Sequence, residues 1–586
     1  MITRHFQDEL ARLKELGAEF SVAHPALAPM LGGPSTDPDV ERLLEGVAFQ
    51  TALLRQKLDD DFPEVVHDLV RLVAPHYLRP VPATTIVAFE PKPSLTRSRL
   101  IPAGTELASI PVEGTRCLFR TTSPVELHPL ELLDATFVQP AGNAPAVTLS
   151  LSLTGLSLDH WEPRSLRFFL AGDHAPAAEL FLILSRHLKR IVITPEERGA
   201  SASLPAACLH PVGLNDDEHL IPWPSHAFPG YRLLQEYFAA PQRFLFLELT
   251  GWERWTTRGS GSRFTITFEL GELTIPPPPV RRENFVLFAS PAVNLFSHDA
   301  EPILLDHRVG RYPVRPAGLA PGHGQVYSVD RVTGIVRGAA RERTYHPFGQ
   351  FRDGADAQPT FHTSVSASPV RAGFDVHLAV AYSQGEGLPE AETLSIALTC
   401  SNGRLPENLW LGDLCEPTSS SPESATFHNI TPLTPTLLPP LGKNLLWRLV
   451  SHLSLNRLSL ASADNLRTLL ALYLFEEGGD RGDLAANRKR LDGIEAVIAK
   501  PAGRLVGGHL LRGSEIVLTL RGDHFAGPGD LFLFGAVLDR FLGGYASLNS
   551  FTRLTVRESV RGEVYSWAPR LDRKSTRLNS SHEWIS

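Results

Sequence analysis

"YLRPVPATTIVAFEPKP", residues 77–93, is where the chain changes character. Pro80 and Pro82 cannot extend a helix, since each removes a backbone donor and restricts the residue before it. The β-branched and aromatic run from Ile86 to Phe89 then reads as a strand. Upstream the pattern is helical. Phe6, Leu10, Leu13 and Phe20 follow three-four spacing before Pro25. Asp37 fits a helix N-cap with Pro38 at the first helical position. Val40, Leu43, Leu44, Val47, Leu54 and Leu58 then define one apolar stripe. Pro63 breaks this helix and opens another, carrying Val65, Val66, Leu69, Val70 and Val73. Asp59, Asp60 and Asp61 fall between the two helices. They read as a charged corner favoured by the positive end of the second helix; the alternative is an acidic site for a metal or a proton.

Downstream of residue 80 the sequence breaks into short strands and turns. "RFFLAG", "IVIT", "RFLFLELTG" and "RFTITFEL" are strand-like, the last alternating Phe264, Ile266, Phe268 and Leu270. "AAELFLILSRHLKR" reads as a helix lying on that sheet. "PPPP" at 276–279 reads as a stiff extended linker. Further strands follow in "QVYSVDRVTG" and "LSIALTC", and "EPTSSSPESAT" reads as a flexible polar loop. A helix is expected over Leu445, Leu446, Leu449, Val450 and Leu453, and another from Asp464 to about Phe475. The strand "IVLTL", a helix with Val537, Leu538, Phe541, Leu542 and Tyr545, and the strand "FTRLTV" complete the pattern. The expected fold is α+β and multi-domain. A helical region at 1–80 precedes β-rich domains at 81–275 and 276–430, and an α+β domain covers 431–571. The tail "DRKSTRLNSSHEWIS" (572–586) reads as a translated sequencing adapter, so the native end is expected to be missing.

Composition narrows the function. The 586 residues suffice for about three or four ordinary domains, and 43 % hydrophobic content can fill large cores. Net charge is −8 with both signs interspersed, unlike the basic stripe of a nucleic-acid binder. Four dispersed cysteines make neither a disulfide framework nor a zinc site and fit a reducing, cytoplasmic compartment. No signal peptide or membrane-spanning segment is expected.

Several clusters invite chemical readings. "HDAEPILLDHR" offers His298, Asp299, Glu301, Asp306 and His307 as metal ligands, yet in no known ligand spacing, so a charged surface turn is the competing reading. "NDDEH", from Asn215 to His219, resembles half a calcium loop but lacks its glycine and distal glutamate. "GWERW" could stack a base or sugar, or be a solvated turn with one buried tryptophan. No G-x-S-x-G, P-loop or G-x-G-x-x-G motif occurs. No catalytic, cofactor-binding or metal-ligating residue is therefore assigned.

Ordered segments along nearly the whole chain resemble the TssF family of type VI secretion baseplate subunits. They include "FQDELARLKELGAEFSVAHPALAPMLG", "LVAPHYLRPVP", "FPGYRLLQEYFAAPQRFLF" (228–246), "VNLFSHDAEPILLDHR", "VYSVDRVTG", "LTCSNGRLPENL", "LLWRLVSHLSLNRLSL" and "LFLFGAVLDRFLGGYASLNSF". One departure is Ala240, where the family usually has an aromatic. The resemblance implies a non-enzymatic structural subunit, similar to contractile-tail baseplate wedge proteins of phages. It also implies two copies per TssG, contact with TssK and with hub and spike components, no nucleic acid and no cofactor. The implied location is cytoplasmic, at the inner face of the inner membrane through the baseplate. In "GYRLLQEYFAAP", Tyr231, Leu234 and Phe238 share one helical face while Arg232, Gln235 and Glu236 are polar. Tyr231, Arg232, Gln235 and Glu236 are thus candidate partner contacts, since aromatics and arginine anchor interfaces. The alternative is a core junction of one domain. A soluble hydrolase with a triad drawn from distant loops remains the rival function.

Overall fold

The computed structural model describes residues 75–139, 144–223, 227–336, 342–348, 359–368, 373–382, 391–441, 462–475, 479–506, 509–544 and 550–571, with a few positions before 75. The chain divides into two units, one of 1–73 with 441–450 and one of 74–440 with 451–586. In the smaller unit, residues 45–51 are helical, as the spacing predicts. Ala48 is buried there, whereas Leu43 and Val47 of the apolar stripe are 69 % and 51 % exposed. The Asp59–Asp61 corner and the helix expected around Leu445 to Leu453 lie outside the described residues.

The larger unit is mixed α+β, with many strands and few helices. The strand that opens it, Thr84–Pro91, sits inside a five-stranded sheet between Ala289–Val293 and Ala425–Asn429, both antiparallel to it. Six of its eight residues are buried, which explains the near-continuous apolar run. A second five-stranded sheet centres on Arg263–Leu270, whose alternation is realised: Phe264, Ile266, Phe268 and Leu270 all face the core. A four-stranded sheet joins Leu166–Leu170 to Phe246–Leu249 and Phe285–Leu287. An eight-stranded sheet is built around Gln325–Val336 and Glu392–Ser401. Strands from both sides of the 276–279 proline run therefore share two sheets. One apolar cluster likewise gathers Val81, Leu220, Ile221, Val293, Tyr327 and Leu437 from both sides of that run.

Five α-helices of the larger unit are described: α1 (His174–Leu182), α2 (Pro229–Ala239), α3 (Ala463–Ala471), α4 (Arg481–Asp492) and α5 (Pro528–Gly544). The segment "AAELFLILSRHLKR" is helical only to its middle. A wide turn at Ile183–His187 ends α1, and Leu188–Pro195 is already a strand. Its β-branched continuation "IVIT" pairs with Arg263–Leu270 and draws the preceding residues into the ladder. Helix α3 stops short of Phe475, with turns following Ala471.

Helix α5 is apolar nearly all round, as a central helix must be. Leu533, Phe534, Val537, Leu538 and Phe541 are fully buried, each stabilising the fold by about 1.5–3 kcal/mol. Gly529 lets its first turn approach α1, since a Cβ there would lie 2.2 Å from the Ala178 carbonyl carbon. The C-terminal sheet joins Ile494–Val506, His509–Leu520 and Ser550–Glu558; its strand Ser550–Glu558 packs on α5, while Ile494–Val506 packs on α3 and α4. The loop "EPTSSSPESAT" is tied down rather than free. Thr418 and Ser421 hydroxyls donate to the Glu106 carbonyl at 2.7 and 3.0 Å, and Glu416 bridges Ala108.

Candidate functional site

Helix α2 begins with Pro229 and ends at Ala240, whose φ of −148° leaves helical space just before Pro241. Sequence spacing gives it a polar face, but the structure covers both faces. Tyr231, Arg232, Gln235 and Glu236, read as partner contacts, are all buried within this chain, Arg232 and Glu236 at 1 % and 0 % exposure. Within this chain the four side chains pack as a core junction would. Tyr231 stacks among His76 and Tyr473, both at 5.8 Å, with Phe228 edge-on at 5.2 Å.

The polar side is covered by the loop "NDDEH". Arg232 donates to the carbonyls of Asn215 at 2.7 Å and Glu218 at 2.9 Å, and to the Glu236 carboxylate at 3.2 Å. Arg243 also pairs with Glu236 and donates to the Glu218 carbonyl. Glu236 accepts the Leu220 amide at 2.9 Å, while the Glu218 carboxylate accepts the amides of Gly213 and Asn215. Burial pushes the Arg232 guanidinium down to about 10 and that of Arg243 well below its ordinary value. Carbonyls that a calcium ion would need are thus spent on guanidinium groups. The loop is a lock on two buried arginines.

A second buried cluster joins four helices. Asp530, in the first turn of α5, accepts from Arg490 of α4 at 2.9 Å and from the Ala526 amide at 3.1 Å. It also lies 2.9 Å from His174 Nε2 of α1, and the Tyr237 hydroxyl of α2 donates to it at 3.5 Å. Burial alone would raise this carboxyl, but the His174 hydrogen bond and the Arg490 charge hold it well below the usual carboxylate range.

The other candidates come apart or turn inward. His298 bonds the Ala317 carbonyl at 2.7 Å, and Asp306 accepts the Tyr312 hydroxyl at 3.1 Å. Among the described residues no three His, Cys, Asp or Glu side chains are grouped to hold a metal. Alanine at His298, Asp299 and His307 together is expected to leave metal content unchanged. Elemental analysis checks this, and stoichiometric zinc, iron or calcium lost in that variant would contradict it. In "GWERW" both tryptophans are buried, not one, within an aromatic cluster that includes Trp161 and Phe264. Their indole N–H groups donate to the carbonyls of Leu249 and Ala200, so neither face is offered to a ligand.

Sequence reasoning missed Ser98, His128 and Glu126, which stand in a triad-like row. Ser98 Oγ is 2.7 Å from His128 Nδ1, but Glu126 is 3.9 Å from Nε2, beyond hydrogen-bond reach. Burial lowers the His128 imidazole to about 4, so it is poorly disposed to take the serine proton. Ser157, Asp159 and His160 also meet, yet serine and aspartate share one ring nitrogen, Nδ1, and no relay through the ring exists.

Large sheets, with buried ion clusters tying α2 to a loop and α1, α2 and α4 to α5, fit the class of structural scaffolds. The sequence model of the family described as "Type VI secretion system, TssF" matches residues 1–574. The chain is 32 % identical to the type VI secretion system component TssF1 of Pseudomonas aeruginosa, over 97 % of this chain and 98 % of that protein. It resembles a chain in the cryo-electron microscopy structure of the type VI secretion TssK-TssF-TssG baseplate subcomplex. There the TM-score is 0.76 at 31 % identity, covering 90 % of this chain and 98 % of that one. A chain of the baseplate complex from the type VI secretion system matches with a TM-score of 0.60 at 26 % identity, covering 98 % and 99 %. The chain belongs to the TssF family, structural components of the type VI secretion baseplate.

Proposed function

We propose that this chain is a wedge subunit of a type VI secretion baseplate, assembling with TssG- and TssK-like partners into the platform for sheath and tube polymerisation. The observation that carries the reading is the likeness, over 90 % of the chain, to a chain of the TssK-TssF-TssG subcomplex. The proposed stoichiometry is two copies per TssG, with hub and spike components as further neighbours. The wedge works on the cytoplasmic side, held at the inner membrane through the baseplate; no helix among the described residues is long and apolar enough to cross a membrane. Within the subunit, the proposed layout is a helical region to about residue 80, two β-rich parts divided near 276, and an α+β part from about 431. Its role is mechanical, and its buried polar groups serve rigidity rather than catalysis.

Exposed Leu43 and Val47, one helical turn apart, support a subunit that leaves apolar surface for a partner. Expressed alone, the chain is expected to self-associate or be poorly soluble, and co-expression with the TssG-like partner is expected to rescue it. Size-exclusion chromatography with light scattering checks this. A monodisperse, stable monomer that gains nothing from the partner would sink the wedge reading.

A further inference from the structure

The C-terminal sheet borders a cleft that none of the contacts above explains. Strand Ile494–Val506 runs antiparallel to His509–Leu520, which runs parallel to Ser550–Glu558. Val497, Leu518, Leu554 and Val556 are buried on the inner side. The two-residue period therefore sends Arg504, Glu515 and Arg553 to the opposite side. A cleft of about 630 Å³ is lined by these three residues, by Arg186 from the turn after α1, by Phe551, and by Trp567, whose half-buried indole stacks on Phe532 of α5 at 5.5 Å. Gly513 leaves room for the Phe551 ring, which a Cβ would meet at 2.4 Å.

Charge and shape together select an occupant. Arg553 lies 3.6 Å from Glu515, so one carboxylate is already held by one guanidinium. Arg186 and Arg504 make no ion pair or hydrogen bond among the described residues. Lys500 stands opposite Glu515 in the strand register and adds a further cation. A chain of net charge −8 has thus gathered four cations around one carboxylate. Guanidinium groups beside an indole suit carboxylates with an apolar side chain between them. Glu515 opposes a phosphodiester backbone, which would also want a longer cationic track than this bounded cleft offers.

We propose that this cleft docks an acidic segment of a protein partner, with carboxylates on Arg186 and Arg504 and an apolar side chain against Trp567. The proposal deepens the assembly reading and rests on it. The test uses the full chain with its co-expressed TssG-like partner, titrated against a short fluorescein-labelled glutamate-rich peptide containing tyrosine. Anisotropy is expected to show binding that weakens with salt and falls about tenfold or more in Arg186→Glu/Arg504→Glu. Trp567→Ala is expected to weaken it with less salt dependence. Absence of binding, or binding unchanged in the double variant, would overturn the proposal. So would a single-stranded oligonucleotide of equal charge that binds more tightly than the peptide. Wedge formation is measured on the same samples: its failure for the unaltered chain counts against the assembly reading, while the peptide titration reports on the cleft by itself.

Discussion

Glu236→Gln is expected to destabilise the free chain by about 3 kcal/mol or more, because it leaves two buried guanidinium groups without their carboxylate. Arg232 and Arg243 both pair with Glu236, and the loop that covers them is held by the same groups. Glutamine keeps the shape and can still accept the Leu220 amide, so the loss reports on charge rather than packing. Denaturant and thermal unfolding of the free chain measure the effect, with partner affinity measured on the same protein. An unchanged melting temperature with weaker partner binding would restore Arg232 and Glu236 as contact residues. The expected order is the reverse: stability falls first, and binding follows only as the α2 junction loosens.

What could be read from the sequence was local and periodic. The alternation of Phe264 to Leu270 placed a half-buried strand correctly. The polar side of α2 was not legible, because its covering carbonyls come from Glu218, 14 residues from Arg232 and 25 from Arg243. A helix wheel shows charge and cannot show that a distant loop neutralises it. Trp252 and Trp255 failed for a similar reason: Trp161 and Phe264, which bury them, arrive from other parts of the chain. The loop "EPTSSSPESAT" looked free because its hydroxyls bond Glu106, more than three hundred residues earlier. The TssF resemblance was legible, since it rests on ordered segments rather than on contacts, and the family match bears it out.

Asp530→Asn is expected to cost about 3 kcal/mol at neutral pH, and the cost is expected to shrink on acidification. The carboxylate has no exposure and ties α1, α4 and α5 through His174, Arg490 and the Ala526 amide. Its folded-state ionisation lies well below the unfolded value of about 4, so folding favours the charged form. The stabilisation is therefore complete above about pH 4 and is lost as pH falls through the lower folded value. Asparagine carries no such charge, so the two proteins should converge in stability as acid removes the advantage of the native residue. Urea unfolding of both proteins between neutral and acidic pH gives the difference directly. A gap that stays constant down the acid range would show that packing, not the ionised carboxylate, joins these helices. A gap that closes ties the scaffold's acid sensitivity to one buried aspartate in the first turn of α5.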